Sequence, residues 1–205
     1  YREAFDGRTV QTVVDLGANV GYFTLFAADY TKNRNLTALI VDANERVMEE
    51  CAWHVSHNHL SNVKVKYGVV GFPKGQKEAT FYVNPSNVAS SAQPELNPNI
   101  PKKGESVPVT VPTVDVEDEW KRIAGDRRID LLKIDIEGSE CDFIKNARPV
   151  IDRTERVVLE WHKWVVSLDQ VKATLAECGF QLNKVIGEDD HCGVGIFDRR
   201  ANAPS

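Results

Sequence analysis

Apolar positions along this chain follow two alternating periods. Short runs of β-branched and aliphatic residues read as strands at Thr12 to Leu16, Ala38 to Val41, Val63 to Tyr67, Glu78 to Val83, Val107 to Val111, Ile129 to Asp135, Arg156 to Glu160, Phe180 to Ile186 and Gly193 to Asp198. Between them the spacing becomes helical. Val20 to Tyr30 forms one such segment, and Asn44 opens another that sets Val47, Met48, Cys51, Ala52 and Val55 on one face. Asp115 to Ala124 and Ser139 to Ala147 follow. Ser167 and Gln170 then make a capping-box pattern ahead of Val171, Leu175 and Cys178, and Gly179 stops that helix.

The run Ile129 to Ile134 is almost continuously apolar, which suits a strand covered on both faces, as parallel sheets require. The last two strands are joined by the short acidic turn Glu188-Asp189-Asp190, which implies an antiparallel hairpin. The pattern predicts an α/β fold: an open, mostly parallel Rossmann-like sheet with helices on both faces, closing in an antiparallel pair. Residues 84–106 are rich in proline, asparagine and serine and read as a long lid or substrate loop.

The candidate chemistry gathers at strand ends. Val-Val-Asp-Leu-Gly-Ala-Asn-Val-Gly over 13–21 is a strand running into a glycine turn and then a helix. Such a turn brings backbone close to a ligand. A dinucleotide fingerprint would read Gly-x-Gly-x-x-Gly, whereas here Asp15, Gly17, Asn19 and Gly21 stand two apart and the middle glycine is missing. An acid leading the turn suits a ligand that carries an ammonium group, as S-adenosylmethionine does. Asp42 ends the second strand, where an acid can accept hydrogen bonds from both ribose hydroxyls, with simple helix capping as the alternative.

A second acidic strand end follows at Asp135-Ile136-Glu137-Gly138-Ser139-Glu140, and a third at Glu160-Trp161-His162. Asp135, Glu137, Glu160 and His162 are the candidate catalytic residues, since transfer to a hydroxyl needs a group to take its proton. His162 has the best ordinary pKa for that task, and Asp135 the best expected position. Glu140 reads equally as a helix N-terminal acid favoured by the dipole. A divalent cation on Asp135 and Glu160 is another way to activate a hydroxyl. Two carboxylates make an incomplete shell, and Lys133 or Lys163 accounts for them equally, so no metal is expected. Trp161 and Trp164 read as core, and His54, His57 and His59 as solvated residues without a role.

Composition narrows the field. At 205 residues, with 42% hydrophobic and 27% charged residues, the chain suits one globular domain without staples. Its formal charge of −5, with basic residues scattered, offers no footprint for nucleic acid, and no apolar run reaches membrane-spanning length. Cys51, Cys141, Cys178 and Cys192 are far apart in sequence and read as free thiols of a reducing compartment, so a cytoplasmic enzyme is expected. The chain opens on Tyr1 rather than Met, which suggests that something precedes it.

The first motif together with Leu-Leu-Lys-Ile-Asp-Ile-Glu-Gly-Ser-Glu at 131–140, in that order and with Asp42 and Leu-Glu-Trp-His at 159–162, resembles the FkbM-type S-adenosylmethionine-dependent methyltransferases. The resemblance implies a seven-stranded class I methyltransferase sheet with its last strand antiparallel. It implies that Gly17, Asn19 and Gly21 cradle the methionine end of the cofactor, and that Asp42 holds the ribose. Val69 would then lie near adenine, in a segment where Gly68, Val69 and Val70 replace the acid that other methyltransferases use. The acceptor it implies is a hydroxyl on a small molecule such as a sugar or natural product. The competing readings are a nicotinamide-dependent oxidoreductase and an inactive cofactor-binding interaction domain.

Overall fold

The computed structural model describes residues 1–83 and 107–201, so the predicted lid at 84–106 lies outside the described residues. After a short 3-10 turn at Arg2–Phe5, the strands are β1 (Thr12–Leu16), β2 (Thr37–Asp42), β3 (Val63–Tyr67), β4 (Glu78–Val83), β5 (Val107–Pro112), β6 (Ile129–Ile134), β7 (Thr154–His162), β8 (Phe180–Glu188) and β9 (Cys192–Arg199). The helices are α1 (Tyr22–Tyr30), α2 (Glu45–His57), α3 (Val116–Ala124), α4 (Glu140–Asn146), α5 (Arg148–Asp152) and α6 (Leu168–Glu177).

Seven strands form one sheet in the order β3-β2-β1-β6-β7-β9-β8. β1 is central and pairs in parallel with β2 and β6, and only β9, inserted between β7 and β8, runs against its neighbours in this sheet. β4 and β5 form a separate antiparallel pair. This is the Rossmann-like seven-stranded sheet expected from the sequence, with its last strand antiparallel.

Alternation along the strands assigns each helix to a face. Val14, Leu16, Leu39, Val41, Leu132, Ile134, Val157 and Leu159 pack with Trp120 of α3, Phe143 and Ile144 of α4, Ile151 of α5 and Leu175 of α6. Their neighbours in sequence, Val13, Ala38, Ile40, Leu131 and Val158, pack with Phe23 and Ala27 of α1 and Met48 and Cys51 of α2. A one-residue slip in β1 would therefore exchange its two faces and turn Asp15 into the wrong layer.

Local chemistry sets the helix ends. Asn44 caps α2 by accepting from the Arg46 N–H, Asp115 caps α3 by accepting from Asp118, and Ser167 with Gln170 completes the capping box of α6. Several boundaries differ from the sequence pattern. α1 starts at Tyr22 rather than Val20, because the turn through Gly21 is left-handed. Ala52 is exposed, since α2 rests on the sheet through Val47, Met48, Cys51 and Val55. β7 extends to His162, where it pairs with Cys192 of β9. Pro149 opens the separate short helix α5, which the periodicity did not reveal. Trp161 is fully buried and belongs to the core, as read. Cys51 and Cys178 are buried and all four thiols are free. No helix among the described residues is long and apolar enough to cross a membrane.

Candidate active site

β1, β2 and β6 end side by side at Leu16, Asp42 and Ile134, each passing into a turn at the same edge of the sheet. The turn after β1 begins at Gly17, whose N–H donates to the Val41 carbonyl at 2.9 Å. Its φ is +68°, and a Cβ built there would fall 1.6 Å from the carbonyl oxygen of Asp135. The first and second acidic turns therefore touch through backbone, and only glycine fits between them.

Asn19 continues the left-handed path at φ +51°, which aims its N–H at Asp42 Oδ2, 2.8 Å away. The N–H of Asn44 donates to Asp42 Oδ1 at 2.9 Å. Both carboxylate oxygens are thus oriented by backbone and keep further acceptor capacity. Burial pushes the Asp42 carboxyl above its ordinary value, while these two donors oppose that shift.

A cleft of about 210 Å³ opens between these turns. Gly17, Asn19 and Asp42 line one side, Val69, Phe72 and Phe81 make an apolar wall, and Asp135 and Glu137 line the remaining side. Phe72 and Phe81 come from the excursion around β4, where no sequence signal beyond apolarity marked them. Asp15 and Gly21 stand behind this lining. Gly21 packs against Cys51, whose Sγ would be 2.7 Å from an added Cβ.

Asp15 points into the α1 face, fully buried, and accepts from Thr24 Oγ1 at 2.9 Å. The ammonium it meets belongs to the protein: Lys133 Nζ lies 3.5 Å from Asp15 Oδ1, 3.2 Å from Asp135 Oδ2, and donates to the Gly17 carbonyl at 2.8 Å. Burial pulls the Lys133 pKa down, yet the charges of Asp135 and Asp15 outweigh it and hold the group above its ordinary value. Lys133 is the residue the sequence pattern undervalued, since one lysine inside an apolar strand reads as simple pairing. It ties the floor of the turn to the next strand.

The third strand end gathers beside the cleft. His162, 6% exposed, engages Glu140 Oε1 through Nδ1 at 2.9 Å, and Nε2 lies 3.4 Å from Glu137 Oε2 and 4.0 Å from Glu160 Oε1. Glu140 is fully buried and also accepts from the Gly138 N–H at 3.0 Å. Glu137 is held at φ +53°, which turns its side chain from the helix start toward the cleft. Burial raises the Glu137 pKa to about 7, with His162 working against the rise. His162 is raised to about 9: burial lowers it, and the hydrogen bond and charge of Glu140, with Glu137 and Asp135, more than reverse this. With a proton held in place at neutral pH, His162 is a poor base, which its ordinary pKa did not reveal. Glu160 is raised by burial and by Asp135.

The sequence model of the FkbM methyltransferase domain matches residues 15–182, from the acid of the first turn to beyond the third strand end. The chain belongs to the FkbM methyltransferase family. Among curated proteins no relative matches it. Solved structures share the fold. The FkbM methyltransferase from Methylobacillus flagellatus superposes with a TM-score of 0.57 at 17% identity, over 91% of this chain and 44% of that one. A SAM-dependent methyltransferase from Aquifex aeolicus gives 0.53 at 11% identity, over 95% and 85%. TrmK of M. capricolum, solved with S-adenosylhomocysteine, gives 0.51 at 10%, over 98% and 66%.

As an FkbM methyltransferase the chain takes its methyl group from S-adenosylmethionine, and the cleft fits that cofactor. Gly17 admits a ligand to bare backbone, Asp42 presents two oriented acceptors, and Val69, Phe72 and Phe81 provide an apolar wall for a flat base.

Proposed function

We propose that this FkbM methyltransferase methylates a hydroxyl group of an uncharged small molecule, such as a sugar or natural product, with Glu137 as the base. The observation that carries this reading is the backbone geometry of Glu137, which sets a half-buried carboxylate of pKa about 7 on the wall of the cleft.

In this reading Asp42 accepts hydrogen bonds from the ribose hydroxyls and the turn at Gly17 and Asn19 cradles the methionine end. Val69, Phe72 and Phe81 flank adenine. Asp15 and Lys133 act beneath the ligand by fixing the turn. The donor supplies an electrophilic methyl carbon on a sulfonium. Glu137 receives the acceptor's hydroxyl proton as the oxygen–carbon bond forms and the sulfur–carbon bond breaks, while Asp135 and Glu160 orient the acceptor beside it. Asp135 and Glu137 on the cleft wall, with Glu140 and Glu160 beside them, outnumber the cations Lys133 and His162, and this excess of acids disfavours phosphates, which supports a small uncharged acceptor over nucleic acid.

The test is methyl transfer from labelled S-adenosylmethionine to a panel of sugars, hydroxylated metabolites and tRNA. Label in a hydroxylated small molecule is expected. Label in RNA alone, or on nitrogen, would overturn the reading.

A further inference from the structure

One oxygen each from Asp135 and Glu160 and one ring nitrogen of His162 lie within 4.8 Å of one another. From the sequence, Asp135 and Glu160 alone made an incomplete shell. The fold adds a nitrogen, because β7 continues past Leu159, the partner of Ile134 at the end of β6, and so carries His162 out beside the turn that follows β6.

How His162 is held matters more than its proximity. Its Nδ1 is committed to Glu140, itself fully buried and anchored by the Gly138 N–H. That arrangement fixes the ring so that Nε2 points into the carboxylates. Histidines that bind metals are oriented in this way, by donating the other ring N–H to a carboxylate. Nε2 itself is 3.4 Å from Glu137 and 4.0 Å from Glu160, longer than a normal N–H···O hydrogen bond. A side chain more than nine-tenths buried thus directs its nitrogen into a gap between acids.

Charge points the same way. Asp135, Glu137, Glu140 and Glu160 face one another here, against His162 and Lys133. Lys133 is shared with Asp15 and the Gly17 carbonyl on its other side. Carboxylates this close to one another repel, and an added cation relieves that repulsion.

We propose that Asp135, Glu160 and His162 bind a divalent cation of the Mn²⁺ class on the acceptor side of the cleft. Two carboxylate oxygens and an imidazole nitrogen are a donor set for such an ion. Ligands about 2.1 Å from a metal stand about 3 Å apart, so the cluster contracts by side-chain rotation of Asp135 and Glu160, both only half-buried. The ion would sit between Nε2 and the two carboxylates, next to Asp135 on the cleft wall. It is then placed to hold the acceptor oxygen and lower its pKa, so that Glu137 receives the proton more readily. This role rests on the methyltransferase reading above, whereas the binding itself does not.

The test uses the full chain, stripped with chelator and titrated with MnCl₂, with free Mn²⁺ followed by electron paramagnetic resonance. One ion per chain is expected, bound at micromolar concentration. Glu160→Gln should weaken binding at least tenfold, and Glu140→Gln by roughly 10–100-fold through loss of ring orientation. Failure to bind below millimolar Mn²⁺, or binding that both variants leave unchanged, would overturn the proposal. S-adenosylhomocysteine affinity, measured separately without metal, keeps the two readings apart: its loss would sink the methyltransferase reading and leave the ion site standing.

Discussion

The carbonyl oxygen of Asp135 fills the space that a side chain on Gly17 would need, the two positions being 1.6 Å apart. This contact joins the turn after β1 to the turn after β6 and so forms the floor of the cleft. Gly17→Ala is expected to strain a left-handed backbone at about 1–2 kcal/mol and in addition to force the two strand ends apart. Gly7 is the control, having φ +70° with no atom within 4 Å of an added Cβ. Scanning calorimetry should give Gly17→Ala a Tm loss well beyond that of Gly7→Ala, with S-adenosylhomocysteine binding abolished only in the former. Equal losses would show that the contact is not limiting.

A second prediction concerns Lys133. Its ammonium is the cation nearest the buried Asp15, so Lys133→Met leaves that carboxylate uncompensated at a cost of about 3–5 kcal/mol. Asp15→Asn in the same chain removes the orphaned charge, and the double variant should regain most of the loss. Urea denaturation of the four proteins gives the coupling directly. If the double variant is as unstable as the sum of the singles, Asp15 is neutral in the folded protein and the pairing is not electrostatic.

These contacts show where the sequence was informative. Strand runs and glycine turns identify the sheet because a strand covered on both faces has to be apolar throughout, as Leu131, Leu132 and Ile134 are. Gly17, Asn19, Asp42, Asp135 and Glu137 come together in the cleft because all five stand at or just beyond strand ends, and parallel pairing aligns those ends. Which way an individual acid turns was not legible. Asp15 and Asp42 both stand at the carboxyl ends of strands, yet one faces α1 and Lys133 while the other faces the cleft, a difference set by strand alternation and by a lysine that is distant in the chain but directly opposite on the adjacent strand β6. The apolar wall from Phe72 and Phe81 depends on how the β4–β5 pair folds back, which no local pattern encodes.

Binding and chemistry should separate between two acids. Asp42 is held by two backbone N–H groups on the cofactor side, so Asp42→Ala is expected to cost about 1–3 kcal/mol in S-adenosylhomocysteine affinity by calorimetry. Glu137→Gln keeps the shape of the cleft wall. It should leave that affinity nearly unchanged and lower turnover by roughly 10²–10⁴-fold. Similar affinity losses in both variants would remove Glu137 from the role of base and place it with the ligand-binding groups.

Acid stability should depend on a pair far from the cleft. Asp198 of β9 engages Arg156 of β7 through both oxygens, at 2.6 and 3.0 Å, and also meets Arg8 at 2.9 Å. Burial alone would raise the Asp198 carboxyl, but the hydrogen bonds from Arg156 and Asn183 and the charges of Arg156 and Arg8 hold it below its ordinary value. A depressed folded pKa means that the unfolded chain binds the proton first. The stabilisation is therefore complete above the ordinary aspartate pKa, near 3.9, and is lost as pH falls toward the lower folded value. Urea midpoints of the native chain and Asp198→Asn, compared from neutral pH downward, should differ most at neutral pH and draw together as pH falls below the ordinary aspartate value. A gap that stays constant across this range would mean that Asp198 stabilises the β7–β9 junction through packing and hydrogen bonds that do not depend on its charge.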